Sequence, residues 1–224
     1  MAAASTSADL QFVRHAYKAA VMARDSHRAR SIVLDALEQG ADPFSLDLDV
    51  LQPVLVELGE RWVEGDVSVA HEHFVTGVTE GVMALLAGRM RKAPANGRLA
   101  VVACPPGERH SLGARMLSDF LEADAWEVIC LGADTPARDL LALVEDEQPD
   151  VVALSVTMPS CVDAAVELLG ALGTADPRPL LAVGGRGWPE GVAAADAGAD
   201  VVARDARQLL DLLRERLPEP GDDE

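Results

Sequence analysis

The apolar positions between residues 9 and 92 recur every three or four residues, which is the spacing of one face of an α-helix. Gly40 ends the second of these stretches, and Gly65 interrupts the chain after the third. A fourth stretch begins after Ser68, a suitable N-cap, and is predicted to run to Lys92. The sequence therefore predicts a four-helix bundle. The apolar faces of its first three helices consist of Leu10, Val13, Tyr17 and Ala20; of Ile32, Val33, Ala36 and Leu37; and of Leu51, Val54, Leu55, Leu58 and Trp62.

The pattern changes after the breaker-rich segment 93–97, which we interpret as a domain boundary. Beyond it, short apolar runs without polar alternation are separated by amphipathic helical stretches. Such runs are typical of strands covered on both faces, and the helices between them supply right-handed crossovers. We therefore expect an α/β domain over residues 98–217, with a Rossmann-like (flavodoxin-like) five-stranded parallel sheet, and flexible ends at 1–8 and 218–224. The strands are predicted at 99–103, 128–131, 151–155, 180–183 and 201–203.

The charge balance is strongly acidic. The chain has 19 Lys and Arg residues against 37 Asp and Glu residues, which gives a formal net charge of −18. This charge repels phosphate backbones and anionic lipid surfaces, so direct binding of nucleic acid or membrane is not expected. No apolar stretch approaches the length of a membrane span. Three cysteines, an odd number without metal-type spacing, favour a reduced, cytoplasmic protein.

The loop after the first predicted strand contains candidate chemistry, because ligands of open parallel sheets bind at the carboxyl ends of the strands. His110 lies there beside the start of a helix, and the carboxylate of Glu108 is close enough in sequence to reach one of its ring nitrogens. This pair is typical of a metal ligand with an orienting carboxylate, and equally of a capping or surface histidine. The neighbouring Cys104 is interpreted as a buried small hydrophobic residue, with a thiolate ligand as the alternative.

Three motifs in order resemble the cobalamin-binding signature of methionine synthase, corrinoid methyl carriers and mutases. They are Glu108-x-His110-x-x-Gly113, Ser155-x-Thr157 and Gly184-Gly185. In that family the histidine replaces the dimethylbenzimidazole base on cobalt, and the displaced nucleotide tail fills a slot beside the serine and the glycine pair. The resemblance implies a cobalamin cofactor, His110 as the lower axial ligand, and the other motif residues as cofactor-binding. Where the family usually has Asp and Leu, this chain has Glu108 and Thr157.

The helical half carries a second resemblance. Trp62, followed after residues 63–71 by Glu72 and His73, is similar to the cap pattern of the light-sensing cobalamin regulators of the CarH type. It implies that these three residues cover the upper alkyl ligand of adenosylcobalamin or methylcobalamin. In those sensors a histidine after the Trp becomes the second cobalt ligand once light has broken the upper bond. That position is Val63 here, which leaves His71 and His73 as candidates for the role.

Together the resemblances imply a cobalamin photoreceptor that is not an enzyme. CarH-type repressors carry an N-terminal winged-helix domain, whereas the helical cap here is predicted to start at about residue 9. The signal is therefore expected to reach a regulator or another signalling protein, as in stand-alone antirepressors of the AerR kind, or to act through a light-dependent homo-oligomer. Two alternatives stay open: a corrinoid methyl carrier serving a methyltransferase system, and a cobalamin storage or trafficking protein.

Overall fold

The computed structural model describes residues 7–91 and 93–217. It divides after Met90 into two compact units, a helical unit and an α/β unit. The predicted flexible tail at 218–224 and most of the predicted flexible N-terminus lie outside the described residues, although the first helix already includes Ser7. No helix within the described ranges is long and apolar enough to cross a membrane.

The helical unit contains the four predicted helices, the third of them built from three consecutive segments. Its elements are α1 (Ser7–Met22), α2 (Ser26–Glu38), α3 (Pro43–Leu46), a π turn (Asp47–Leu51), α4 (Gln52–Val63) and α5 (Val69–Ala87).

The third helix begins at Pro43, before the first residue of its predicted apolar face, because Asp42 caps it by accepting a hydrogen bond from the backbone N–H of Ser45 at 3.0 Å. It then continues without a break through the π turn into α4. Inside that turn the N–H of Gln52 donates to the carbonyl of Asp47, which is an i to i+5 bond and adds one residue to the helical turn.

The fourth helix begins after Ser68, whose side chain accepts from the N–H of His71 as predicted. The prediction that it runs to Lys92 is wrong. It ends at Ala87, where the N–H of Arg89 donates to the carbonyl of Leu86 in a tighter i to i+3 bond and the Met90 side chain is buried in the interior.

The core of the helical unit is largely apolar, and one of its buried polar contacts joins two helices. Tyr17 is fully buried, and its hydroxyl lies 2.9 Å from the Thr79 hydroxyl, which donates in turn to the carbonyl of Val75. Burial raises the pKa of Tyr17 to about 12, so its hydroxyl stays protonated. The pair links α1 to α5 inside the bundle, and each polar atom has a partner.

The α/β unit confirms the predicted five-stranded parallel sheet. Its strand order is β2-β1-β3-β4-β5, and every pair of neighbouring strands is parallel. The carboxyl ends of β1 and β3 are adjacent, and they lie at the point where the strand order reverses, which is the binding crevice of open α/β sheets. The strands are β1 (Leu99–Ala103), β2 (Glu127–Gly132), β3 (Val151–Ser155), β4 (Leu180–Gly184) and β5 (Val201–Ala203); the helices are α6 (Leu112–Ala123), α7 (Ala137–Glu147), α8 (Val162–Leu172) and α9 (Ala206–Arg216).

Two glycines at the end of β4 allow close contacts between backbones. A Cβ atom on Gly184 would lie 2.0 Å from the carbonyl oxygen of Ala203. A Cβ atom on Gly185, whose φ is +105°, would lie 2.4 Å from the carbonyl oxygen of Val156. Since backbone atoms cannot move aside as a flexible side chain can, any other residue forces β4 away from its neighbours.

We therefore expect Gly184→Ala to lower the free energy of unfolding of the cofactor-free protein by about 3 kcal/mol or more, measured by urea denaturation. The matched control is Gly170→Ala in α8, where an added Cβ meets nothing within 4 Å. That change should stabilise the helix by about 0.5–1 kcal/mol, because alanine loses less backbone entropy than glycine. Wild-type stability in the Gly184 variant would contradict this account of β4.

Candidate functional site

The loop between β1 and α6 presents Glu108 and His110 at the carboxyl edge of the sheet. It starts with a tight turn in which the N–H of Glu108 donates to the carbonyl of Pro105 at 3.0 Å. Gly107 occupies the third position of this turn with a φ of +85°, a conformation that favours glycine. The turn directs the Glu108 side chain into the protein, where it is fully buried, and leaves 47% of the His110 side chain exposed.

The imidazole of His110 is held in one orientation and one tautomer. Its Nδ1 lies 2.6 Å from Oε1 of Glu108, which also accepts the backbone N–H of His110 at 2.9 Å. An ionised carboxylate only accepts hydrogen bonds, so Nδ1 carries a proton, and in the neutral imidazole Nε2 then keeps its lone pair. Nε2 has no hydrogen-bond partner within residues 7–91 and 93–217. A partly exposed imidazole with a free Nε2 and a carboxylate on Nδ1 has the form of a metal ligand.

The second carboxylate oxygen of Glu108 joins this loop to the loop after β3, the strand beside β1 in the sheet. Oε2 accepts the backbone N–H groups of Thr157 at 2.8 Å and Met158 at 2.7 Å, just after β3. Burial alone would raise the pKa of Glu108, but the N–H donors of His110, Met158 and Thr157 outweigh burial and lower it. The carboxylate is therefore ionised at neutral pH. The sequence predicted the contact of Glu108 with His110 but not the contacts with the residues after β3. Almost every residue has a backbone N–H, so residue types do not show which of these groups Glu108 will bind.

Two further predicted residues meet at the start of α6. A Cβ atom on Gly113 would lie 3.1 Å from Oγ of Ser155, the last residue of β3. The Ser155 side chain is buried, and Thr157 is half-buried. Gly113 therefore keeps open a narrow space beside the β3 hydroxyl that a larger residue would fill.

The glycine pair at the end of β4 lies at the same edge of the sheet. The space that a Cβ atom would need at Gly184 and Gly185 is occupied by backbone atoms of Ala203 and Val156. The predicted role of the pair in cofactor binding stays a prediction. Trp188 follows this pair; it is 7% exposed, and its indole Nε1 is buried with no hydrogen-bond partner in the part of the chain that the structure describes. A buried unpaired donor is costly in a folded protein, so this indole N–H offers a hydrogen bond that a bound molecule could accept.

In the helical unit, the corner between α4 and α5 exposes a second Glu–His pair. Nδ1 of His73 lies 2.7 Å from Oε2 of Glu72, whose other oxygen accepts the Thr76 hydroxyl at 2.8 Å. The His73 side chain is 74% exposed. Trp62, in the last turn of α4, is 38% exposed, and Val63 beside it is 76% exposed.

His71 differs from its neighbour His73. It is buried, and its Nε2 lies 3.0 Å from the carbonyl of Val21, to which it donates across the bundle. Because this nitrogen is committed to the interior of the helical unit, His73 is the better placed of the two candidate cobalt ligands, and the role of His71 stays a prediction.

Cys104 is a buried thiol. It is fully buried, and its Sγ donates weakly to the carbonyl of His110 at 3.6 Å. Burial, with a smaller effect of the Glu108 charge, raises the pKa of Cys104 to about 12. In the absence of a metal the thiol is therefore protonated at neutral pH, which favours the interpretation of Cys104 as a buried small hydrophobic residue.

The metal-ligating residues of the chain suit a metal ion that is already held in a macrocycle. Within the described ranges no group of three or more His, Cys, Asp or Glu residues could hold a bare metal ion. A corrin supplies four in-plane nitrogens and needs only axial ligands from the protein. The oriented imidazole of His110 and the space kept open by Gly113 beside Ser155 suit that requirement.

Comparison with known proteins agrees with this chemistry. The family described as "B12 binding domain" matches residues 98–214, and a second family of the same description matches residues 13–87. The chain belongs to the B12-binding proteins. Its cofactor is cobalamin.

The relatives of this B12-binding protein are regulators and corrinoid proteins. The HTH-type transcriptional repressor CarH of Myxococcus xanthus is 35% identical over 168 residues, which cover 75% of this chain and 55% of that protein. The trimethylamine corrinoid protein of Methanosarcina barkeri is 26% identical over 144 residues, covering 63% of this chain and 66% of its own. The chain spans about half the length of the repressors it matches.

A solved structure shows the same fold. The monomethylamine corrinoid protein of Methanosarcina barkeri aligns with a TM-score of 0.80 at 15% identity, over 92% of this chain and 99% of that one. At this identity the likeness concerns the fold alone.

Glu108→Gln should destabilise the cofactor-free protein by about 1–3 kcal/mol at neutral pH, because one carboxylate oxygen becomes an amide that faces N–H donors. In the folded chain the pKa of Glu108 lies below its ordinary value of 4.5, so the ionised group stabilises the fold fully above pH 4.5. That contribution is lost as the pH falls through the lowered pKa. The difference in the free energy of unfolding between wild type and variant should therefore become smaller in acid.

The measurement is urea denaturation at neutral pH and at several pH values below 4.5. Glu72→Gln is the matched control, because Glu72 also holds a histidine Nδ1 but lies at the surface of α5. Its stability should stay within about 0.5 kcal/mol of wild type. Equal losses of stability in the two variants would contradict the conclusion that the buried hydrogen bonds of Glu108 stabilise the fold.

Proposed function

We propose that the chain is a cobalamin photoreceptor in which His110 binds cobalt from the lower side and Trp62, Glu72 and His73 cover the upper alkyl ligand. The observation that carries the lower-ligand assignment is the imidazole of His110, fixed by buried Glu108 with its Nε2 free. The sensing role is supported by the exposed Trp62 with the Glu72–His73 pair and by the 35% identity to a CarH repressor.

Glu108 acts through His110. The hydrogen bond to Nδ1 fixes the tautomer and makes Nε2 a better electron donor. The four N–H groups that Glu108 accepts keep this carboxylate from turning away, so the imidazole is in place before any ligand binds. Bound cobalamin supplies a cobalt–carbon bond that visible light can break, and the protein supplies the axial ligand and the surroundings of that bond.

The upper side is assigned to the corner between α4 and α5. An indole that is 38% exposed leaves apolar area in contact with water, and covering a bound alkyl group would remove that area from water. Glu72 and His73 add hydrogen-bonding groups beside it. Such groups suit an adenosyl ligand, which carries hydroxyl and amino groups, better than a methyl ligand.

Trp62 would carry the signal. Once nothing covers its indole, Trp62 would add to the exposed apolar side chains of Val63 and of Val69, which is 49% exposed, and this surface would bind a regulator or a second copy of the chain. His73 is the residue proposed to bind cobalt after illumination, because Val63 cannot and His71 is committed to the bundle.

His110→Ala should weaken cobalamin binding about tenfold or more, because the cofactor loses its protein axial ligand. Binding is measured by titration followed by absorption, and ligation by electron paramagnetic resonance of the cobalt(II) form with nitrogen-15 histidine. The variant should lose the coupling to a histidine nitrogen, whereas His15→Ala, a surface substitution on α1, should keep it. A His110 variant with unchanged coupling would overturn the assignment.

The protein loaded with adenosylcobalamin should change its absorption spectrum and its oligomeric state when green light replaces darkness. Trp62→Ala should bind the cofactor but show a smaller change in assembly, because less apolar surface is uncovered. His73→Ala should convert the illuminated spectrum from that of two axial imidazoles to that of one imidazole and water. Size-exclusion chromatography with light scattering, in darkness and in light, measures the assembly.

An assembly that is the same in darkness and in light, with added regulator absent or present, would overturn the sensing role. The corrinoid carrier is then favoured if the protein passes a methyl group from methylcobalamin to a thiol through a methyltransferase. Storage is favoured if it does neither.

A further inference from the structure

The His110 loop is held from its outer side by the residues that follow β2. The N–H of Asp134 donates to the carbonyl of Glu108 at 2.7 Å, and Oδ1 of Asp134 accepts the N–H of Gly107 at 2.7 Å. The next residue, Thr135, donates its N–H to the carbonyl of Cys104 at 3.1 Å. The loop is therefore bound at three points along its length by two consecutive residues.

Asp134 takes an uncommon backbone conformation to make these bonds. Its φ is +48°, in the left-handed region that asparagine and aspartate tolerate better than most residues. It is also exposed, so neither burial nor core packing accounts for it. The residue that holds the His110 loop therefore has both a strained backbone and two short hydrogen bonds.

We call this arrangement an aspartate latch: the backbone N–H of an aspartate donates to a carbonyl of another segment, and its carboxylate accepts a backbone N–H of that segment. Two more such latches lie among the described residues of the α/β unit. Asp150 donates its N–H to the carbonyl of Leu99 at 2.9 Å and accepts the N–H of Leu99 at 2.8 Å. Asp200 makes the equivalent pair with Leu181, both bonds at 2.7 Å. These two latches join neighbouring strands at the amino edge of the sheet. The Asp134 latch lies at the carboxyl edge, and it holds a loop.

The consequence concerns the position of the imidazole. The carboxylate of Glu108 is fixed from within by the N–H groups after β3, while its backbone is fixed from outside by Asp134. With both ends of Glu108 held, His110, two residues further on, has little freedom to move away from the sheet edge. With the outer bond removed, the Gly107 N–H can turn to water, and the loop gains alternative conformations.

We propose that Asp134 is a positioning residue for His110, which holds the loop in the conformation that lets Nε2 reach cobalt. The proposal rests on the proposed role of His110 as lower axial ligand. It assigns Asp134 no contact with the cofactor.

The test uses the full chain with three substitutions. Asp134→Gly removes the carboxylate and still accepts the left-handed backbone, so backbone strain is not the cause of any effect. Asp134→Asn keeps both the acceptor oxygen and the tolerance of that backbone. Asp150→Gly breaks the matched latch at the opposite edge and controls for a general loss of stability.

Two quantities are measured: the affinity for cobinamide, which has no base of its own, and the fraction of cobalt(II) coupled to a nitrogen-15 histidine. Asp134→Gly should bind about two- to tenfold more weakly, the equivalent of one net hydrogen bond, and show a smaller coupled fraction. Asp134→Asn should stay within about twofold of wild type. Asp150→Gly should lower the unfolding midpoint but keep the wild-type coupled fraction.

The proposal is overturned if Asp134→Gly binds and ligates as wild type does, or if Asp150→Gly lowers ligation as much. These results are separable from failure of the proposed function. If His110→Ala still loses the coupling, His110 remains the ligand and only the role of Asp134 fails. If His110→Ala keeps it, the ligand assignment itself fails.

Discussion

One buried carboxylate organises the carboxyl edge of the sheet. Glu108 accepts hydrogen bonds from a ring nitrogen and from three backbone N–H groups that belong to two separate loops. An isolated carboxylate in such a position would be strongly destabilising, and these four donors are what allow it to stay ionised there. The orientation of His110 and the join between the β1 and β3 loops are therefore two results of the same interaction. A neutral side chain at 108 could not give both.

Much of this fold follows from the period of its apolar residues. The uninterrupted runs at β1 and β3 are buried along nearly their whole length, as expected for central parallel strands. The helical spacing also identified the four bundle helices, because those segments bury one face each. The prediction was wrong where local backbone bonding decides the outcome, at the end of α5, and the apolar spacing did not indicate the start of the third helix at Pro43.

The site was predictable as far as residue types carry its chemistry. Glu108 and His110 stand two residues apart, so their contact could be expected. The sequence singled out the glycines at the end of β4 as cofactor-binding residues, whereas the close approach of Ala203 and Val156 to them becomes visible only in the folded chain. Asp134 was missed because its partners are backbone groups 26 and 27 residues away, of the kind that any sequence provides. Neither a sequence motif nor the periodicity of apolar residues indicates long-range contacts with backbone atoms.

The π turn in the third helix sets the rotational phase of everything that follows it. An i to i+5 bond places one more residue in the turn than an α-helix would hold. Each residue rotates an α-helix by about 100°, so a regular helix through the same segment would present a different side of α4 to the solvent. The azimuth of Trp62 thus depends on a backbone irregularity at Asp47–Leu51, more than two turns away along the axis. A one-residue deletion inside that turn would act on the indole without altering any residue near it.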